Sequence, residues 1–248
     1  MSGHSKWSTI KHKKAATDKK RSSEFTKLTK SIMTAVKIGG SDPLMNFKLR
    51  LAIDKAKIAS MPNANIDRAI EKASGEAGGA HSEEILYEGY GPGGSAILVE
   101  TLTDNKNRTV SEVRHVFSKN HGNLGESGSV GYLFDQRGSI YLEAKPAEQE
   151  ARMMEIMELP LLDIEQSAEG LEIITEISNL EIVKQGLADK HIEYKSAELI
   201  MHPKSALPIA DAQVARQLMG LIEALEENED VQEVYTNADI DETIISEL

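Results

Sequence analysis

"SIYLEAKPAEQEARMMEIMELPLLDIEQSAEGLEIITEISNLEIVKQGLADKHIEYKSAELIM", residues 139–201, is the stretch that decides the fold. Four pieces of it, "SIYLEA" (139–144), "LLDIEQS" (161–167), "LEIITEI" (171–177) and "IEYKSAELIM" (192–201), are short and rich in β-branched residues, as strands are. Between them, "AEQEARMMEIMEL" (147–159) and "LEIVKQGLAD" (180–189) repeat their apolar residues every three to four positions, which is helical spacing. The order β-α-β-β-α-β is the split unit of a ferredoxin-like domain, so residues 137–202 are predicted to form one compact α/β domain.

The flanks are incomplete in a complementary way. Upstream, "EILYEGYG" (84–91) and "SAILVETLT" (95–103) read as strands around a "GPGG" turn, followed by a helix at about 106–120 and a strand at "SVGYLF" (129–134). Downstream come a helix over 211–227 and a strand at "VQEVYTN" (231–237). Neither piece can bury a face alone. Together, as residues 83–136 plus 203–240, they make a second α/β domain with the first inserted into it.

Farther out, residues 22–36 put Phe25, Leu28, Ile32 and Val36 on one side of a helix and Lys20, Lys27, Lys30 and Lys37 on the other. A second helix over 43–59 turns Leu49, Ile53 and Ala56 inward and Lys48, Arg50, Lys55 and Lys57 outward. A third starts at an Asn63 or Asn65 cap, buries Ile66, Ala69, Ile70 and Ala73, and stops at Gly75. "GEAGGAHSEE" (75–84) reads as a linker. The expected fold is therefore α+β and multidomain: a basic arm and three-helix bundle (1–75), then two ferredoxin-like α/β domains, one inserted in the other.

Charge divides at the same linker. The 248-residue chain has a formal net charge of -12, yet residues 1–74 hold 16 Lys and Arg against 6 Asp and Glu, a local balance of +10. The remainder holds 12 against 34, or -22. Such asymmetry points to an anionic polymer as partner of the basic end, with the acidic part held away from it. The plainer alternative is that the lysines only solvate a small helical domain, although ordinary surfaces mix both signs.

Candidate contacts are Lys6, Lys11, Lys13, Lys14, Lys19, Lys20 and Arg21 in the arm, with His12 among them. Lys27 and Lys30 extend them onto the first helix. Each such cation can neutralise a phosphate and release condensed counterions. Trp7, the only tryptophan, either stacks on an exposed base or pins the arm to the bundle. Lysine outnumbers arginine in the arm, which favours charge-based docking over bidentate base reading.

Other chemistries find little support. The chain has no cysteine, so no disulfide or thiolate metal site, and its seven histidines are scattered. No metal or other cofactor is expected. "YEGYGPGG" (87–94) and "KNHGNLGESGSVGYLF" (119–134) lack a phosphate-loop signature and read as turns. No serine sits in a nucleophile elbow, so the chain is not read as an enzyme. Met153, Met154 and Met157, at helical spacing, read as core packing. No apolar run reaches the roughly 20 residues of a membrane span, and no apolar stretch behind the first lysines marks a secretory signal. The basic, serine-containing start also fits an organellar transit peptide, against which stands the absence of arginine before Arg21. A cytoplasmic location is the default expectation.

Several long stretches in order resemble the YebC family of probable transcriptional regulatory proteins, relatives of a mitochondrial translational activator. They are "GHSKWSTIKHKKAATDKKRSSEFTKL" (3–28), "MPNANIDRAIEKASG" (61–75), "YEGYGPGGSAILVE" (87–100), "TDNKNRTVSEVRHVFSKNHGNLGESGSVGYLF" (103–134) and "LMGLIEALEENEDVQEVYTN" (218–237). One departure is Phe47 in "NFKLR", where relatives commonly carry proline. The resemblance implies three domains, a cytoplasmic location and a role in gene expression. It implies either a DNA-binding transcriptional regulator or a ribosome-associated translation factor that binds rRNA and relieves stalling at proline-rich stretches. A lysine arm suits the phosphates of either polymer, and no base-reading helix-turn-helix is evident. The acidic α/β domains suit either a protein partner or, in the cavity between them, a basic segment.

Overall fold

A computed structural model describes residues 18–75, 82–241 and 244. The chain opens with three helices, α1 (Asp18–Gly39), α2 (Phe47–Ile58) and α3 (Asn63–Ser74). Leu28, Ile32 and Val36 of α1 meet Leu49, Ile53, Ile66 and Ala69 in one buried cluster, as the apolar spacing requires. The second helix starts at Phe47, not at Pro43, and Asn46 is the reason. Its carboxamide accepts from Leu49 N at 3.1 Å and donates to Ala35 O at 2.7 Å and Gly40 O at 2.8 Å. One buried side chain thus caps α2 and closes the end of α1.

Next come β1 (Glu83–Tyr90), β2 (Ala96–Thr103), α4 (Lys106–Lys119) and β3 (Asn123–Leu124). The central unit follows as β4 (Phe134–Glu143), α5 (Pro146–Ile156), β5 (Asp163–Gln166), β6 (Gly170–Thr175), α6 (Leu180–Asp189) and β7 (Ser196–Pro203). Its sheet runs β5-β6-β4-β7 with every pair antiparallel, the strand order of a ferredoxin-like domain. Ile140, Leu142, Leu171 and Ile173 pack beneath Ile156 of α5 and Leu180, Val183 and Leu187 of α6.

The chain then returns through β8 (Leu207–Ile209), α7 (Ala212–Glu226), β9 (Val231–Thr236) and β10 (Ala238–Ile240). Strand β9 joins the edge of the first sheet, giving the order β3-β1-β2-β9, also antiparallel. Helices α4 and α7 cover one face of it through Val113, Phe117, Leu218 and Leu221. The fold is α+β, a helical bundle followed by two two-layer α/β domains, one inserted in the other. The discontinuous domain begins with a hairpin where the inserted one begins with a crossover. Ala96, Leu98, Phe134, Ile174, Ile200 and Tyr235 seal the two sheets together. A parallel ladder of β8 and β10 is an addition the sequence did not suggest.

Two further expectations are corrected. "SVGYLF" is not a strand: Gly131–Leu133 is a 3-10 turn and β4 starts only at Phe134. The amides there are used elsewhere, because buried Glu88 accepts from Gly128 N at 2.7 Å, Val130 N at 2.8 Å and Gly131 N at 2.6 Å. Burial opposes the Glu88 charge, but the three amides prevail and hold its carboxyl below the usual range. The glycine run is thus filled by the protein's own carboxylate. The methionines of α5 also differ from the core reading. Met153 packs against the inserted core, whereas Met154 and Met157 are 65% and 70% exposed.

Candidate nucleic-acid interface

Lys6, Trp7, Lys11, His12, Lys13 and Lys14 lie outside the described residues. Lys19, Lys20 and Arg21 fall on the first turns of α1, and their side chains lie outside the described set. Lys27 and Lys30 are placed, and both correct the expectation of a solvent-facing cationic stripe.

Helix α1 lies along the turn that joins α7 to β9. Lys27 Nζ donates to Glu226 O at 2.6 Å, at the carbonyl end of α7, where the helix dipole favours a cation. Lys30 Nζ donates to Glu229 O at 3.2 Å and to Asp230 Oδ1 at 3.1 Å. Ser31 Oγ donates to Gln232 Oε1 at 3.0 Å. A helical wheel of α1 alone has no means of showing that its polar face meets a turn some two hundred residues away.

Asp230 is the centre of that contact. It is 4% exposed, and its other oxygen accepts from Arg108 at 2.6 Å, Thr109 Oγ1 at 2.8 Å and Thr103 Oγ1 at 3.2 Å. Burial raises its pKa, but the hydrogen bonds from Arg108, Thr109 and Lys30 outweigh it and bring the group down to about 2. One carboxylate therefore joins α1, α4 and the start of β9.

A second junction forms at Lys55 of α2. Its ammonium meets Glu198 of β7 at 2.8 Å and Glu233 of β9, so it bridges the facing edges of the two sheets. Burial disfavours its charge, yet the two carboxylates more than offset this, and the pKa is raised. Nearby, burial and the charge of Glu233 push the Glu100 carboxyl up, and Tyr235 Oη donates to it at 3.2 Å. Lys48 pairs with Glu84 at 3.0 Å, and Lys184 pairs with Asp54 at 2.9 Å. Lys48 and Lys55, expected to face outward, grip the acidic domains instead. Part of the positive excess of the bundle is spent on its own body.

Lys57, Arg68 and Lys72 are exposed cations of the bundle. All three stood outside the expected contact set although they belong to the same basic segment. Among the described residues no group of His, Asp and Glu is arranged to hold a metal ion, and no helix is long and apolar enough to cross a membrane.

The comparisons agree along the whole chain. The TACO1/YebC protein N-terminal domain matches residues 5–76, and the TACO1/YebC second and third domain matches residues 82–238. A probable transcriptional regulatory protein of Desulfosudis oleivorans is 49% identical over 244 residues, 98% of this chain and 99% of that one. One of Chlorobium luteolum, with the same description, is 48% identical over 249 residues, 100% of this chain and 99% of that one. A crystal structure of a conserved hypothetical protein from Aquifex aeolicus superposes with a TM-score of 0.86 at 44% identity, covering 94% of this chain and 96% of that chain. With bundle, inserted sheet and discontinuous sheet all matched in order, the chain belongs to the TACO1/YebC family.

Proposed function

We propose that this protein is a non-enzymatic, DNA-binding regulator of transcription whose contact surface is the N-terminal arm with the first turns of α1. The carrying observation is the concentration of 16 Lys and Arg against 6 Asp and Glu in residues 1–74, beside a body of opposite sign. Relatives named as probable transcriptional regulatory proteins support the regulatory part of the reading. Within this reading the working cations are Lys6, Lys11, Lys13, Lys14, Lys19, Lys20 and Arg21. Lys27 and Lys30 contribute only when they leave the turn after α7. Phosphate contacts made by lysine carry affinity rather than sequence choice, so strong discrimination between DNA sequences is not expected from this surface.

The test is retardation of duplex DNA across a salt series, comparing the native chain with one carrying Lys11, Lys13, Lys14, Lys19 and Lys20→Glu. Five phosphate contacts imply a slope of log affinity against log salt of about -4 to -5, lost in the variant. Equal affinity of the two proteins would reject the surface. Retention of rRNA but not duplex DNA would move the reading to the translation factor.

A further inference from the structure

The helical bundle is attached to the two α/β domains in unlike ways. Toward the inserted domain the contact has an apolar centre, with Leu51 in the buried cluster of Ile140 and Leu171 and Phe47 packed against it, flanked by the ion pairs Lys55–Glu198 and Asp54–Lys184. Toward the discontinuous domain it is polar. Lys27 and Lys30 meet the turn after α7, Ser31 meets Gln232, Lys48 meets Glu84, and Lys55 meets Glu233. Among the described residues, no buried apolar cluster joins the bundle to the discontinuous domain.

The two kinds of contact respond differently to their surroundings. Apolar burial persists in salt, whereas partly exposed ion pairs are screened and are open to competition from other anions. Lys27 and Lys30 are also held against the turn after α7, where backbone carbonyls and Asp230 already take their donors. A phosphate must therefore compete with the protein's own acceptors for these ammonium groups.

We infer that the bundle is latched to the discontinuous domain by charge, at the 226–232 turn through α1 and at Glu84 and Glu233 through α2, and that a polyphosphate competes for the latch, tilting the intact bundle away about Leu51 and Phe47 as a pivot. Identifying the competitor as nucleic acid rests on the proposed function; the latch itself does not. In the closed form, part of the basic surface is masked by the protein's own acidic body. Opening exposes Lys27 and Lys30, so binding and opening favour each other.

The test uses the full chain, which has no native cysteine to interfere with labelling. Spin labels on Ser22→Cys in α1 and Ser111→Cys in α4, both at exposed positions, report the distance between α1 and the discontinuous domain. We expect one narrow distance population in low salt. A longer, broader one should appear in about 0.5 M salt, or on adding a short DNA duplex at low salt. In parallel, Glu84→Gln with Glu233→Gln, which weakens the latch from the body side, should tighten DNA binding several-fold. The comparison is Glu155→Gln with Glu158→Gln, which removes the same charge at the end of α5 and just beyond it. A distance unchanged by salt and by bound DNA would overturn the latch. A distance that lengthens in salt, in a protein that binds no DNA, would uphold the latch and reject the nucleic-acid reading. Equal DNA affinity of the two glutamine pairs would overturn the competition.

Discussion

Lys30 and Asp230 lie 3.1 Å apart across 200 residues of sequence, joining the first described helix to the entry of the ninth strand. The pair brings the basic and acidic parts of the chain into direct contact. Charge segregation here does two things at once: it marks a cationic end, and it helps hold that end to the body.

Asp230→Asn tests the energetic weight of this contact. The native carboxyl is buried, and its pKa lies at about 2, below an ordinary aspartate near 3.8. A depressed folded-state pKa gives stability that is present above the unfolded value and lost as pH falls through the folded one. The contribution should therefore be intact above about pH 4 and gone below about pH 2. We expect the variant to lose about 2 kcal/mol at pH 7, and to differ little from the native protein near pH 2. Urea midpoints at several pH values measure it.

Lys55→Met removes the cation between Glu198 and Glu233 while keeping the aliphatic stem. Two carboxylates are left facing each other at the seam between the sheets. Because the lysine side chain is 42% exposed, the cost should be about 1–2 kcal/mol rather than that of a fully buried pair. Lowering the pH through the carboxylate range should recover part of it. Chemical denaturation at pH 7 and pH 4.5 gives the comparison.

Glu88→Ala leaves the amides of Gly128, Val130 and Gly131 without their acceptor. Leaving the buried Val130 amide and the two partly buried ones beside it unsatisfied costs about 1–3 kcal/mol, and the loop should open locally before the rest of the domain. Faster hydrogen exchange at those three amides is the expected signature. In the native protein the depressed Glu88 carboxyl protects them above its ordinary titration range. That protection should fade as the pH falls below it.

Gly170→Ala probes a close approach between β6 and the end of β4. A Cβ at residue 170 would lie 2.1 Å from Leu142 O, a backbone atom that cannot swing aside. The strands must separate, and we expect a loss of about 1–3 kcal/mol. Thermal unfolding followed by circular dichroism would detect it. A melting temperature equal to that of the native chain would show that the β4–β6 pair relaxes freely.

Elements whose own sequence carries a period were legible. The β-α-β-β-α-β order around Ile140 and Leu187 and the apolar stripe of α1 needed only local spacing. That the two flanking pieces combine followed from their incompleteness, whereas the pairing of β9 with β2 did not. What escaped depends on partners far away. Lys27, Lys30 and Lys55 look like wet lysines on their own helices, and only the packing of other elements against those helices supplies their acceptors. Likewise "SVGYLF" has strand composition, but Glu88, some forty residues earlier, takes its amides. Met154 and Met157 share helical spacing with Met153, yet spacing alone does not show where a narrow buried stripe ends.

The insertion bears on the order in which synthesis can complete the molecule. Phe134 and Pro203 are partners in one ladder, so the nested domain departs from and returns to nearly the same place. Its parts are all present once Pro203 has emerged. The surrounding domain must wait, because ten of the fourteen buried residues in its helix-covered core come from Ile209 onward. Vectorial production therefore leaves the first hairpin with α4 but without α7 and β9 until the last of these elements arrives. A chain stopped just after Pro203 should carry a finished inner domain beside an open outer sheet.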